Sequence, residues 1–167
     1  MKLTLPDPPD ELPRTPRVFY DELRRMLATV QPPRLSPDNT SVQFDKKGVE
    51  IDLVHADRHD WRIWATVGDR DAIVGTEYVH EHFSPRSGGG AGERPWTTEI
   101  VDFIAELLRG EVEIETTFRG PTPISVEHFN FDDHGARRLL GHTGFLVPAR
   151  LFLWRPKRTE TERLSFE

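Results

Sequence analysis

His80 and His82 are two residues apart, and alternate residues of a β-strand point to the same side, so two imidazoles there could chelate one metal ion. The chain has seven histidines and no cysteine. Candidates for a third ligand are His55, His59 and His128, each on or beside a segment that reads as strand. The specific metal motifs are incomplete. His55 and His59 are four apart, but Ala56, Asp57 and Arg58 between them supply no glutamate after the first histidine and read as a turn, not a helix. The familiar metallohydrolase pattern would continue from His82 with an aspartate two residues on, where this chain has Ser84 and then Pro85. The competing reading is of half-buried histidines hydrogen-bonded on a sheet face.

Other chemistries fare no better. A serine hydrolase would show a G-x-S-x-G elbow, which does not occur; Ser87 precedes glycines but with no helix directly after. The run Gly88 to Gly92 has no Lys-Ser/Thr of a phosphate loop and carries Glu93 where a third nucleotide-loop glycine would fall, so it reads as a flexible loop. Glu77 and Glu81 are candidate paired carboxylates on one strand face. With no cysteine, disulfides, thiolate zinc sites and thiol catalysis are excluded, and no cofactor is expected.

The strongest sign of a binding surface is acidic. Glu111, Glu113 and Glu115 alternate along a strand, and the helix before it shows Glu99, Asp102 and Glu106 on its polar side. Such a surface would attract a basic protein partner and speed encounter. The formal charge is −6, and it is uneven: residues 1–131 hold 15 Lys+Arg against 23 Asp+Glu, while 132–167 hold 7 against 5. Most of the chain would repel a phosphate backbone, so nucleic acid is not an expected partner.

These residues need elements to carry them. At 167 residues the chain is long enough to bury about two thirds of its unfolded surface in one ordinary domain. Pro6, Pro8, Pro9 and Pro13 make residues 1–15 an extended arm or tether, residues 16–155 the domain, and residues 156–167 a charged tail. Nothing near Met1 reads as a secretory signal and no window is apolar enough to span a membrane, so a cytoplasmic location is expected.

Helix one is predicted from Thr15 as N-cap and Pro16 at the first helical position, with Phe19, Leu23, Met26, Leu27 and Val30 on one stripe until Pro32 and Pro33. Strands follow at 42–44, 49–54, 61–67 and 72–83, joined by short links into an antiparallel meander. Within the third, Trp61, Ile63, Ala65 and Val67 share one face and Arg62, Trp64 and Thr66 the other. Helix two carries Ile100, Phe103, Ile104, Leu107 and Leu108, with Thr97 as N-cap and Gly110 as its stop. Strands are then expected at 111–119, with Val112, Ile114, Thr116 and Phe118 facing in, at 124–131 and at 145–154, with a helical turn over 132–140. The fold class is α+β: an antiparallel sheet of about six to seven strands with two main helices packed on one face.

The stretch from Trp61 to Phe131 resembles bacterial immunity proteins of polymorphic toxin systems: a strand pair ending in Tyr78, His80, His82 and Phe83, a glycine-rich gap, a helix closing on Leu107, Leu108, Arg109 and Gly110, and a strand ending in Arg119 and Gly120. The resemblance implies a small cytoplasmic α+β protein that neutralises a toxin by binding it, without chemistry of its own. The alternatives are a metal-dependent enzyme or sensor using His80 and His82, and an accessory subunit whose N-terminal arm docks on a larger assembly.

Overall fold

The computed structural model describes residues 3–77, 80–85, 95–131, 134–144 and 155–166. It is α+β, with two helices and nine antiparallel strands in two sheets among the described residues, where one sheet of six to seven strands was expected. The chain divides into two compact units, residues 1–109 with 166–167 and residues 110–165, whereas the composition had marked boundaries at 15 and 155.

In the first unit, helix α1 (Arg14–Val30) starts one residue before the expected cap, with Pro13 preceding it and the Arg17 N–H donating to the Pro13 carbonyl at 3.0 Å. Pro16 therefore lies inside the first turn, where a missing N–H still costs nothing. The helix ends on Gln31, which takes a left-handed φ of 44° and donates its N–H to Leu27 at 3.0 Å. Phe19, Tyr20, Leu23 and Leu27 are buried, while Met26 and Val30 are half-buried. The proline-rich segment is packed against its own helix. Leu5 and Leu12 are buried, Asp7 pairs with Arg24 at 3.0 Å, and the Pro6 carbonyl accepts the Tyr20 hydroxyl at 2.8 Å. Burial pushes that hydroxyl's pKa up to about 12.

Five strands follow in the order β1 (Ser41–Phe44), β2 (Gly48–Val54), β3 (Arg62–Gly68), β4 (Ala72–Gly75) and β5 (His80–Phe83), each antiparallel to the one before. The β1–β2 hairpin matches expectation. Asp45 caps it by accepting the Lys47 and Gly48 N–H groups at 2.6 and 2.7 Å. Glycine is required at 48, because a Cβ there would lie 2.1 Å from the Val67 carbonyl oxygen. The single strand expected over 72–83 is two strands. The chain reverses between Gly75 and His80, which pair with each other.

Helix α2 (Trp96–Arg109) begins at Trp96, so Thr97 is a buried residue of its first turn, not its cap; the Thr98 N–H donates to the Pro95 carbonyl at 2.9 Å. The glycines at 88, 89, 90 and 92 lie outside the described residues. The helices pack on each other and on one side of the sheet, α1 against β2 and β3 and α2 against β4. Their shared core contains Phe19, Leu23, Ile51, Leu53, Ile63, Val67, Val74, Ile100, Ile104 and Leu108. Phe166 is buried in this unit too, its ring 5.2 Å from that of His55 and its carbonyl accepting the Arg34 N–H at 3.2 Å.

The second unit is a four-stranded antiparallel sheet in the order β8-β7-β6-β9, made of β6 (Glu111–Arg119), β7 (Thr122–Phe131), β8 (Arg137–Gly144) and β9 (Lys157–Ser165). β6 and β7 form the expected hairpin, turned by Gly120 at φ +59°. Two expectations are corrected. Arg137–Gly144 is strand instead of a helical turn, and the supposed charged tail is a strand paired along all of β6, from Glu111↔Ser165 to Arg119↔Lys157. Its arginines lie over aromatic rings, Arg158 4.7 Å from Phe118 and Arg163 5.0 Å from Phe131, so stacking and ladder bonds replace the apolar alternation that usually marks a strand. The strand expected at 145–154 lies outside the described residues.

Candidate functional site

Strict alternation gives the five-stranded sheet two unlike faces. Val49, Ile51, Leu53, Ile63, Ala65, Val67 and Val74 are buried on the helix side. The register sets the other side as Glu50 and Asp52 on β2, Arg62, Trp64 and Thr66 on β3, Ile73 on β4, and His80 and His82 on β5. Trp64 and Ile73 are half-buried in the middle of this side, and Glu50, Arg62, Thr66, His80 and His82 are exposed around them. Phe83 takes the helix side, its ring 5.7 Å from that of Phe103.

Trp64 is held in place from two directions. Its indole N–H donates to the Thr76 carbonyl at 2.9 Å, and its ring lies 6.3 Å from that of His80. His80 in turn meets His82 edge to face, with ring centroids 5.0 Å apart and planes at 70°. Beside them Arg62 bonds Asp52 at 3.2 Å and reaches Glu77 at 4.0 Å. These pairs are water-exposed and contribute little stability, but they fix Arg62 among carboxylates and leave the charged part of the face with an acidic surplus. The outer face thus has an amphipathic aromatic at its centre and a polar, charged rim.

The proposed third metal ligands are engaged elsewhere. His55 is buried, and its Nδ1 accepts the Asp57 and Arg58 N–H groups at 3.1 and 3.2 Å, which places its ring proton on Nε2. His59 Nε2 lies 3.1 Å from the Ala56 carbonyl oxygen. His128 belongs to the second unit, where burial lowers its pKa to about 4 and keeps it neutral. No group of three His, Cys, Asp or Glu side chains suited to holding a metal occurs among the described residues. Glu77 and Glu81 do not share a strand, since Glu77 falls in the β4–β5 connection and Glu81 is exposed on β5 opposite Val74.

The acidic set divides between the two units. Glu99, Asp102 and Glu106 lie on α2, and all three are exposed. Glu113 and Glu115 share a face of β6, but this is no open acidic stripe. Glu113 is only 6% exposed, and its two oxygens meet Arg137 at 2.6 Å and Arg163 at 2.9 Å. Arg137 also bonds Glu115 at 2.7 Å and stacks 3.5 Å from the Phe129 ring. The bond to Glu115, then the nearby Glu113, raises the Arg137 pKa above its ordinary value. The Glu111 side chain lies outside the described set. Of the expected inward residues of β6, Val112 is buried and Ile114, Thr116 and Phe118 are half-buried.

Arg137 and Arg163 were not legible as partners of Glu113, because each lies on a strand whose pairing no local pattern announces. Trp64 was legible as facing away from Trp61, but its contact with His80 depends on the reversal after Gly75. No known protein family matches the chain, and no curated protein or solved structure shows significant similarity to it.

Proposed function

We propose that this chain is a non-enzymatic protein-binding module that docks a basic protein partner, as an immunity protein docks its cognate toxin, through the outer face of its five-stranded sheet. The observation that carries the proposal is Trp64, half-exposed at the centre of that face, pinned through its indole N–H and bordered by His80, His82, Glu50 and Asp52. Tryptophan in such a setting supplies large contact area at small entropic cost, and truncating an anchor of this kind costs about 2 kcal/mol or more of binding. The acidic surplus supports a basic partner: residues 110–165 hold eight Lys+Arg and eight Asp+Glu, so the whole charge of −6 belongs to the remainder of the chain. The Arg-paired Glu113 and Glu115 are then structural, and the partner-facing acids are Glu50, Asp52 and Glu77, with Glu99, Asp102 and Glu106 adding to the field that steers encounter.

The proposal expects a basic, toxin-like protein to be encoded beside this gene, and the test is its binding, measured by calorimetry and by growth protection on co-expression. Trp64→Ala and the exposed Thr66→Arg should each weaken binding about 30-fold or more, with the thermal transition of Thr66→Arg unchanged. If Thr66→Arg and Trp64→Ala fold normally and bind within about twofold of wild type, the face is not the docking surface.

A further inference from the structure

We infer that His80 and His82 form a two-imidazole site for a divalent transition-metal ion, open to solvent on the edge strand β5. The inference stands without the protein-binding proposal, because it concerns the ion alone. Both histidines are exposed and on one side of the strand.

The decisive quantity is the 5.0 Å between their ring centroids. A metal–imidazole bond of about 2.0–2.1 Å plus about 1.1 Å from nitrogen to ring centre puts an ion about 3.2 Å from each centroid. Two such rings are then about 4.5 Å apart at a right angle and about 5.2 Å apart at the tetrahedral angle. The observed spacing lies within that interval, so the two rings stand at a chelating separation and must turn from their edge-to-face arrangement for both nitrogens to meet one ion.

Two imidazoles fill only part of the coordination sphere of such an ion, which leaves positions for water or an exogenous ligand. Neutral imidazole donors give an affinity order that follows the divalent series, with Cu2+ ahead of Ni2+ and Zn2+, and little hold on Mg2+ or Ca2+. The Trp64 ring, 6.3 Å from that of His80, is a built-in reporter, because a paramagnetic ion at this site quenches its emission.

The experiment titrates untagged full-length protein with Cu2+, Zn2+ and Mg2+ separately, following tryptophan emission and heat. Saturable one-to-one Cu2+ binding with partial quenching is expected, with Zn2+ weaker and Mg2+ silent. His80→Ala and His82→Ala should each weaken Cu2+ by about tenfold or more, since changes even to outer partners of metal-bound imidazoles cost that much. Electron paramagnetic resonance of the Cu2+ complex should show coupling to two imidazole nitrogens, a readout that requires no variant. The site is overturned if wild type shows no saturable binding, if the double variant keeps wild-type affinity, or if the resonance shows fewer than two coupled imidazoles.

Discussion

Replacing Glu113 by glutamine tests whether its carboxylate is the electrostatic centre of the second unit or an ordinary surface acid. The side chain is 8% exposed and holds Arg137 and Arg163, two arginines from strands that are not neighbours. A hydrogen bond to a charged group contributes about 1.5–3 kcal/mol, so the carboxylate's two bonds represent about 3–6 kcal/mol before compensation. Compensation is substantial. Both arginines are partly exposed and recover water, and Arg137 keeps Glu115. Glutamine also retains one acceptor. The expected net loss is about 2 kcal/mol, which raises the local opening constant of β6 and β7 about 30-fold. Amide hydrogen exchange at 112–118 and 124–131 reads this directly, and urea unfolding gives the same quantity globally. In 0.5 M NaCl most of the loss should persist, because the buried Glu113 carboxylate is itself shielded from screening. Glu115→Gln, with a side chain 27% exposed, should cost less than about 1 kcal/mol. Exchange rates within about twofold of wild type for Glu113→Gln would refute the reasoning, as would a loss that disappears in salt.

Other consequences follow from burial and backbone geometry. His128 is held neutral, with its pKa about 4 against an ordinary 6.5, so below pH 6.5 the unfolded chain binds a proton that the folded chain refuses. Its contribution costs nothing above pH 6.5, grows as pH falls and levels off below pH 4 at about 3 kcal/mol, so His128→Gln should flatten the stability profile between those values; equal slopes would contradict this. Gly48→Ala places a Cβ 2.1 Å from the Val67 carbonyl oxygen and should destabilise by about 2 kcal/mol or more in urea unfolding. Truncation after Pro156 strips β9 from all nine β6 positions while β7 stays paired on the other side, and removes the buried Phe166, so exchange protection should fall at alternate residues of 112–118 and aggregation should rise.

The legible parts of the fold were those in which side-chain burial follows local period. Ile63, Ala65 and Val67 alternate with Trp64 and Thr66, and the stripe of α2 runs unbroken from Ile100 to Leu108, so both were placed with their correct faces. The reversal after Gly75 was silent because Thr76, Glu77, Tyr78 and Val79 include three good strand formers and neither glycine nor proline. β9 was silent because Lys157, Arg158, Glu160, Glu162 and Arg163 read as a solvated tail, and their stabilising partners Phe118, Phe131 and Glu113 lie on other strands. The second sheet was lost with β9, and with it the fact that Glu113 and Glu115 of the acidic stripe are paired with arginines of their own unit.

The central claim is that the face around Trp64 binds a basic protein partner. Its most direct measurement is the dissociation constant of the basic, toxin-like protein that the proposal expects beside this gene, for wild type and for Thr66→Arg, which leaves Trp64 and the core in place. The proposal predicts a loss of about 30-fold or more with an unchanged thermal transition. An unchanged dissociation constant in a folded Thr66→Arg protein would contradict it.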